Sequence, residues 1–188
     1  MNILVRTAGG RTVVRPDTTW ERDNEDLFLP EFVDKVTYAP VFFARVSKPG
    51  RSVSSRFADR YYDAIGFGVL LYPEDLLDGS EEGFACASCL DHTSFLPYPL
   101  FNKITLGREG NVFELFKGGD SVFSFNGATA TMVENAIEEV TKYCYIRVGD
   151  LIAIEIQERR PLCSRIDGKA SVIGKWCDNQ VLDFDVIF

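Results

Sequence analysis

Apolar positions in this chain fall mostly into short runs that alternate or are apolar on both faces, the rhythm of strands; one stretch only has the wider helical spacing. Ile3-Leu4-Val5-Arg6-Thr7 and Thr12-Val13-Val14-Arg15 flank Ala8-Gly9-Gly10-Arg11, which predicts a hairpin whose glycines supply positive φ. Pro16 ends it. From Asp17 to Asp26 there is no apolar period, so that stretch reads as a mobile polar loop around Trp20.

Ala39–Val46, apolar but for Arg45, and Ile65–Tyr72, apolar on both faces, predict central strands. Gly83–Leu90 alternates bulky and small residues and reads as another. A hairpin is expected from Ile104–Leu106 and Val112–Phe116 around the turn 107–111, followed by a strand at Val122–Phe125. The helical stretch starts at Thr131, whose spacing to Glu134 makes a capping box, and runs with Val133, Ile137, Val140 and Cys144 on one face. Leu151–Ile156 is a strand, Asp167-Gly168 suits a tight hairpin turn, and Val181–Phe188 closes the chain. The pattern predicts a single mostly β (α+β) domain over 1–188, with an N-terminal hairpin and polar loop at 1–37 and a C-terminal hairpin and strand at 157–188 on either side of the stretch 38–156.

Composition supports this. Of 188 residues 46% are apolar and 26% charged, as in soluble globular chains, and an aromatic share of 13% favours strands. The net charge of −8 argues against a general grip on nucleic acid or an anionic membrane, since both need a basic surface. Five cysteines without small-domain spacing, and no charged-then-apolar leader, lead to the expectation of a reduced cytoplasmic protein.

Candidate chemistry is sparse. Cys86-Ala87-Ser88-Cys89 has CxxC spacing, but on a strand its two thiols would point to opposite faces, and no second pair completes a zinc shell. His92 is the one histidine, and no nucleophile elbow accompanies it. Asp63 opens one expected strand and Asp91 closes another, so the two carboxylates are expected to converge at one sheet rim, as a hard divalent cation requires.

The order of segments resembles the fumarylacetoacetate hydrolase family. Tyr38–Arg45 is similar to its P-x-x-F-x-K strand, Tyr62–Val69 to its Y-E-x-E-L-x-V-V strand, and Phe84–Ser94 to its G-Y-x-x-x-x-D-x-T/S-A-R segment. Thr131-Met132, the helix and Arg147–Ile152 resemble its T-x-x-M, helix and P-G-D-V-I close. The resemblance implies rolled mixed β-sheets, a usual homodimer, and a Mg²⁺ or Mn²⁺ site for a 1,3-dicarbonyl or 2-oxo acid such as an acylpyruvate. It puts Asp63 and Asp91 at metal-ligand positions and Ile65 where a third carboxylate belongs, with His92 and Glu155 as candidate pocket residues. Phe95 replaces an expected Arg, Ile154-Glu155-Ile156 replaces a G-T-P turn, and no segment carries the catalytic Lys. The expected function is therefore a catalytically degenerate relative that binds a small organic acid or serves a structural role. The alternative is a diverged metal-dependent hydrolase or lyase.

Overall fold

A computed structural model of the chain describes residues 1–107 and 110–188. Arg108 and Glu109, placed by the sequence in a hairpin turn, lie outside the described residues. Strand β1 (Asn2–Arg6) turns through Gly10, at φ +77°, into β2 (Thr12–Pro16), with Ile3 opposite Arg15 as the hairpin pattern predicts. The next segment is not a mobile loop. A 3-10 turn (Asp17–Thr19) leads into β3 (Trp20–Glu21), where Thr19 and Ser94 share a hydroxyl hydrogen bond of 2.8 Å and the Trp20 indole donates to Leu96 O at 2.9 Å. These polar groups are docked by distant partners, which an absent apolar period cannot reveal.

After β4 (Leu27–Phe28) come the two central strands, β5 (Lys35–Val46) and β6 (Tyr62–Pro73), with α1 (Ser55–Ala58) in their connection. Gly83–Leu90 is not a strand. Helix α2 (Glu81–Ala87) occupies it, nucleated by Ser80, whose hydroxyl accepts from Gly83 N at 2.9 Å, with Glu81 and Glu82 in the electropositive first turn. The opposite-face argument for Cys86 and Cys89 falls with that strand; both are exposed and unpaired.

Short β7 (Ser94–Phe95) and β8 (Phe101–Asn102) follow. A 3-10 turn (Lys103–Gly107) stands where the pattern predicts a strand at Ile104–Leu106, because Asn102 Oδ1 accepts from Ile104 N and Thr105 Oγ1 donates to Asn102 O. β9 (Phe113–Lys117) pairs instead with β10 (Asp120–Phe125) across Gly118-Gly119. Helix α3 (Ala130–Thr141) starts one turn-position earlier than expected, with Thr129 as N-cap, so Thr131 and Glu134 form no capping box; Val133, Ala136, Ile137 and Val140 are buried as the spacing predicts.

β11 (Leu151–Glu155), β12 (Arg160–Ser164), β13 (Lys169–Trp176) and β14 (Asn179–Ile187) complete the fold. Asp167-Gly168 does not close a hairpin. β12 pairs with β5 and β13 with β9 and β14, so this turn carries the chain from one sheet to the other. The C-terminal hairpin turns at Cys177-Asp178, both at positive φ.

The larger sheet runs β2-β1-β11-β5-β6-β7-β3, with β1 parallel to β11 and β3 parallel to β7; the smaller runs β10-β9-β13-β14-β4. Both are mixed. The larger sheet rolls up, since Arg15 on β2 reaches Leu71 O on β6 and Thr93 O beside β7. Inside the roll Ile3, Val5, Val41, Phe43, Leu70, Leu96, Leu151 and Ala153 form one core. Outside it, Ile65, Phe67, Val69 and Leu71 pack with α3 and the smaller sheet in a second, where Phe67 stacks on Phe113 at 4.8 Å.

The thiols provide a check on this packing. Cys86, Cys89 and Cys177 are exposed, whereas burial pushes the Cys163 thiol up to about 12. A thiol-reactive chromophore at pH 8 is expected to label those three fastest and Cys163 slowest, with all five labelled once the chain is unfolded. Fast labelling of Cys163 in the folded protein would contradict the packing of β12 on β5.

Candidate functional site

The residues expected to hold a metal are not brought together. Asp63 sits at the start of β6, while Asp91 lies in the turn before β7, whose Ser94 is opposite Leu70. At about 3.3 Å per strand residue, they stand more than about 20 Å apart along β6. Both Asp63 oxygens are taken by Arg45, whose Nε and Nη2 donate at 3.0 and 2.8 Å. Ile65 is 0% exposed, inside the core shared with α3.

Asp91 and His92 line a groove of about 710 Å³ with Asn24–Phe28, where His92 Nδ1 lies 3.1 Å from the buried Glu21 carboxylate. His92 and Glu155 thus occupy different cavities. Among the described residues no group of three or more His, Cys, Asp or Glu could hold a metal ion. A divalent cation needs several convergent oxygens. This donor set does not fit one, because the carboxylate best placed for it is already neutralised by a guanidinium.

Glu155 does line a cavity, the larger cleft of about 1040 Å³ between the β1–β2 turn and α2. Its Oε1 accepts from the Tyr72 hydroxyl at 2.6 Å and its Oε2 from Ala8 N at 2.9 Å, so the carboxylate ties β11 to β6 and to the hairpin. Burial pushes the Tyr72 hydroxyl far above its ordinary range, which keeps it the donor.

Two guanidinium groups address the Tyr72 ring. Arg15 lies 4.8 Å from its centroid, fully buried, with its charge met by Ser88 O, Leu71 O and Thr93 Oγ1 at 2.8 to 2.9 Å. Burial lowers the Arg15 pKa, and among the described residues no carboxylate pairs with it. Arg159 lies 5.1 Å from both the Tyr72 and the Phe84 centroids, rings that stack 5.8 Å apart. Among the described residues no acceptor claims the Arg159 donors. A guanidinium held on aromatic rings with its hydrogen-bonding edge free is a receptor for a carboxylate.

Sequence reasoning pointed to Glu155, which lines this cleft, but not to Arg15, Tyr72, Phe84 or Arg159. Arg15 sits at a polar position of an alternating strand, where nothing local says that the far end of the sheet curls back to meet it. Arg159 belongs to the charged run 158–160, indistinguishable by pattern from a solvated loop.

No protein-family model matches the sequence, and no curated protein matches it either. Solved structures do match. Fumarylpyruvate hydrolase from Pseudomonas aeruginosa, solved with Mn²⁺ and pyruvate, superposes at a TM-score of 0.81 and 13% identity, covering 100% of this chain and 90% of that one. A protein assigned to the fumarylacetoacetate hydrolase family from Yersinia pestis gives 0.80 and 14%, covering 99% and 92%. For 5-carboxymethyl-2-hydroxymuconate delta-isomerase from Mycobacterium smegmatis the values are 0.74 and 16%, covering 99% and 78%. The rolled, mixed sheets expected from the segment resemblance are thus shared over 99–100% of this chain and 78–92% of these three proteins, and the chain has the fumarylacetoacetate hydrolase fold.

Proposed function

We propose that this chain is a binding protein on the fumarylacetoacetate hydrolase fold, without the metal-dependent catalysis of its structural neighbours, and that it holds a small organic acid in the cleft beside Arg159. The observation that carries the reading is the Arg159 guanidinium, laid on Tyr72 and Phe84 with its donors unclaimed. An acid's carboxylate completes those donors, and its carbon skeleton has Val13, Val14, Leu77 and Phe84 to rest on. The Arg45–Asp63 pair and the hydrocarbon filling of the roll support the loss of catalysis. Fold alone does not carry activity.

The second reading is a Mg²⁺- or Mn²⁺-dependent hydrolase or lyase of a 1,3-dicarbonyl or 2-oxo acid, and the likeness to a fumarylpyruvate hydrolase holding Mn²⁺ and pyruvate favours it. One experiment separates the two. With Mn²⁺ added, ultraviolet absorbance of an acylpyruvate is expected to stay constant, whereas turnover of about one per second or faster would establish the hydrolase. In parallel, calorimetric titration with acylpyruvate is expected to show binding that Arg159→Ala weakens about tenfold or more. Equal binding by the variant would sink the Arg159 assignment.

A further inference from the structure

The net charge of −8 hides a segregated basic face. Residues 46–61 and 141–150 are knitted together: Gly50 and Ile146 exchange backbone hydrogen bonds at 3.1 and 2.9 Å, Ser52 N donates to Thr141 O, Ser47 N to Tyr61 O, and Gly149 N to Val46 O. Helix α1 packs on α3 beside them. On this surface Lys48, Arg51, Arg56, Arg60 and Arg147 are exposed, and no carboxylate among the described residues pairs with any of them. Of the neighbouring acids, Asp59, Asp63 and Glu139 are engaged by Lys103, Arg45 and Lys142, while Glu134 and Glu138 on α3 are half-buried and have no ion pair among the described residues.

Aromatic rings are interleaved with these cations. Arg56 and Arg60 flank the exposed Phe57 ring, at 4.4 and 5.7 Å from its centroid, and Lys48 lies 5.2 Å from that of Tyr61. Tyr143 and Tyr145 are 72% and 54% exposed, and neither ring stacks on another ring or on a cation among the described residues.

We propose that this face binds single-stranded nucleic acid. Arginine forks match phosphate oxygens, and free phenol rings between them offer stacking platforms that every base can use. Four of the five unpaired cations are arginines. An acidic peptide would satisfy the cations but leave the two tyrosine faces unused, and a bilayer would find only Phe57 and Val148 as exposed apolar anchors among the described residues of this face, short of the continuous apolar stripe that inserts. The site lies on the α1/α3 side of the larger sheet, away from the Arg159 cleft, so it stands or falls independently of the acid-binding reading.

The test is fluorescence anisotropy of a labelled twelve-nucleotide oligothymidine titrated with the intact protein at several salt concentrations. Micromolar affinity at 50 mM salt is expected, falling with added salt at a log–log slope of about −0.7 for each phosphate engaged. Tyr143→Ala with Tyr145→Ala should weaken binding about tenfold with the slope unchanged. Arg56→Ala with Arg60→Ala should flatten the slope by roughly one to two. All four side chains are exposed, and an unchanged thermal melt would show that each variant folds. No binding at 50 mM salt, or binding that both double variants retain, would overturn the proposal. So would equal affinity for polyglutamate or for phosphatidylserine vesicles, or a sedimentation shift showing that these substitutions dissolve a homodimer, because each assigns the face to a different partner.

Discussion

Arg15→Met is expected to lower the stability of the chain by about 3–5 kcal/mol, the cost of stranding two or three buried neutral acceptors that its guanidinium satisfies. The side chain is 0% exposed and its donors reach Ser88 O, Leu71 O, Thr93 O and Thr93 Oγ1, groups from the end of α2, from β6 and from the turn before β7. Methionine fills much of the volume but donates nothing, so Ser88 O, Leu71 O and Thr93 Oγ1 lose this donor, at about 1–3 kcal/mol for each one that water cannot reach, while Thr93 O keeps its bond from Leu71 N. For a chain of this length that amounts to a fall in Tm of roughly 10 °C, read by calorimetry. Arg15→Lys should recover only part of it, because one ammonium cannot span the fork. A variant melting within about 2 °C of the parent would show that Arg15 does not close the roll.

Gly68→Ala should cost about 3 kcal/mol or more, at the upper end of what overpacking produces. A Cβ added there would lie 2.1 Å from Phe95 O, a backbone atom of the neighbouring strand, so β7 would have to leave its ladder with Val69 and Leu70. Gly66 makes a useful contrast. Its added Cβ would meet the end of the Phe43 ring at 2.5 Å, a side chain that can itself be shortened. Denaturant unfolding should therefore show Gly66→Ala rescued in part by Phe43→Leu, while no side-chain substitution rescues Gly68→Ala. Near-native stability for Gly68→Ala would mean that β6 and β7 are not packed as described.

What could be read from the sequence follows the range of the interactions that decide each element. The β1–β2 hairpin, the two central strands and α3 are set by local apolar rhythm and turn glycines, and their positions were legible to within a few residues. Helix α2 was not, because Ser80 capping and two acidic residues outweigh an alternation of bulky and small side chains. Asp167-Gly168 carries the right turn residues, yet residues alone do not say which sheet the next strand joins. The site was harder still. Glu155 was found through the segment resemblance, but Asp63 and Asp91 were paired by their places in separate motifs, and only the register of β6 against β7 shows them at opposite ends. Arg45 stands opposite Ala64, one residue from Asp63, and its guanidinium turns to that carboxylate; in the sequence it is just the close of an apolar run.

The pairing of Ile3 with Leu151, and of Val186 with Leu27, has a consequence for the order in which the protein can assemble. On the ribosome, β1 and β2 emerge first and β5 with β6 soon after, each pair able to form from nearby residues. The strand that joins them, β11, follows about 150 residues behind β1, roughly 7 to 30 s later at ordinary rates of synthesis. Until then the inner edges of β1 and β5 are both bare, and both are apolar. A nascent chain in this state offers the two surfaces through which sheet proteins associate wrongly. The speed with which residues 151–155 arrive between them then sets how much of the newly made protein reaches the rolled state.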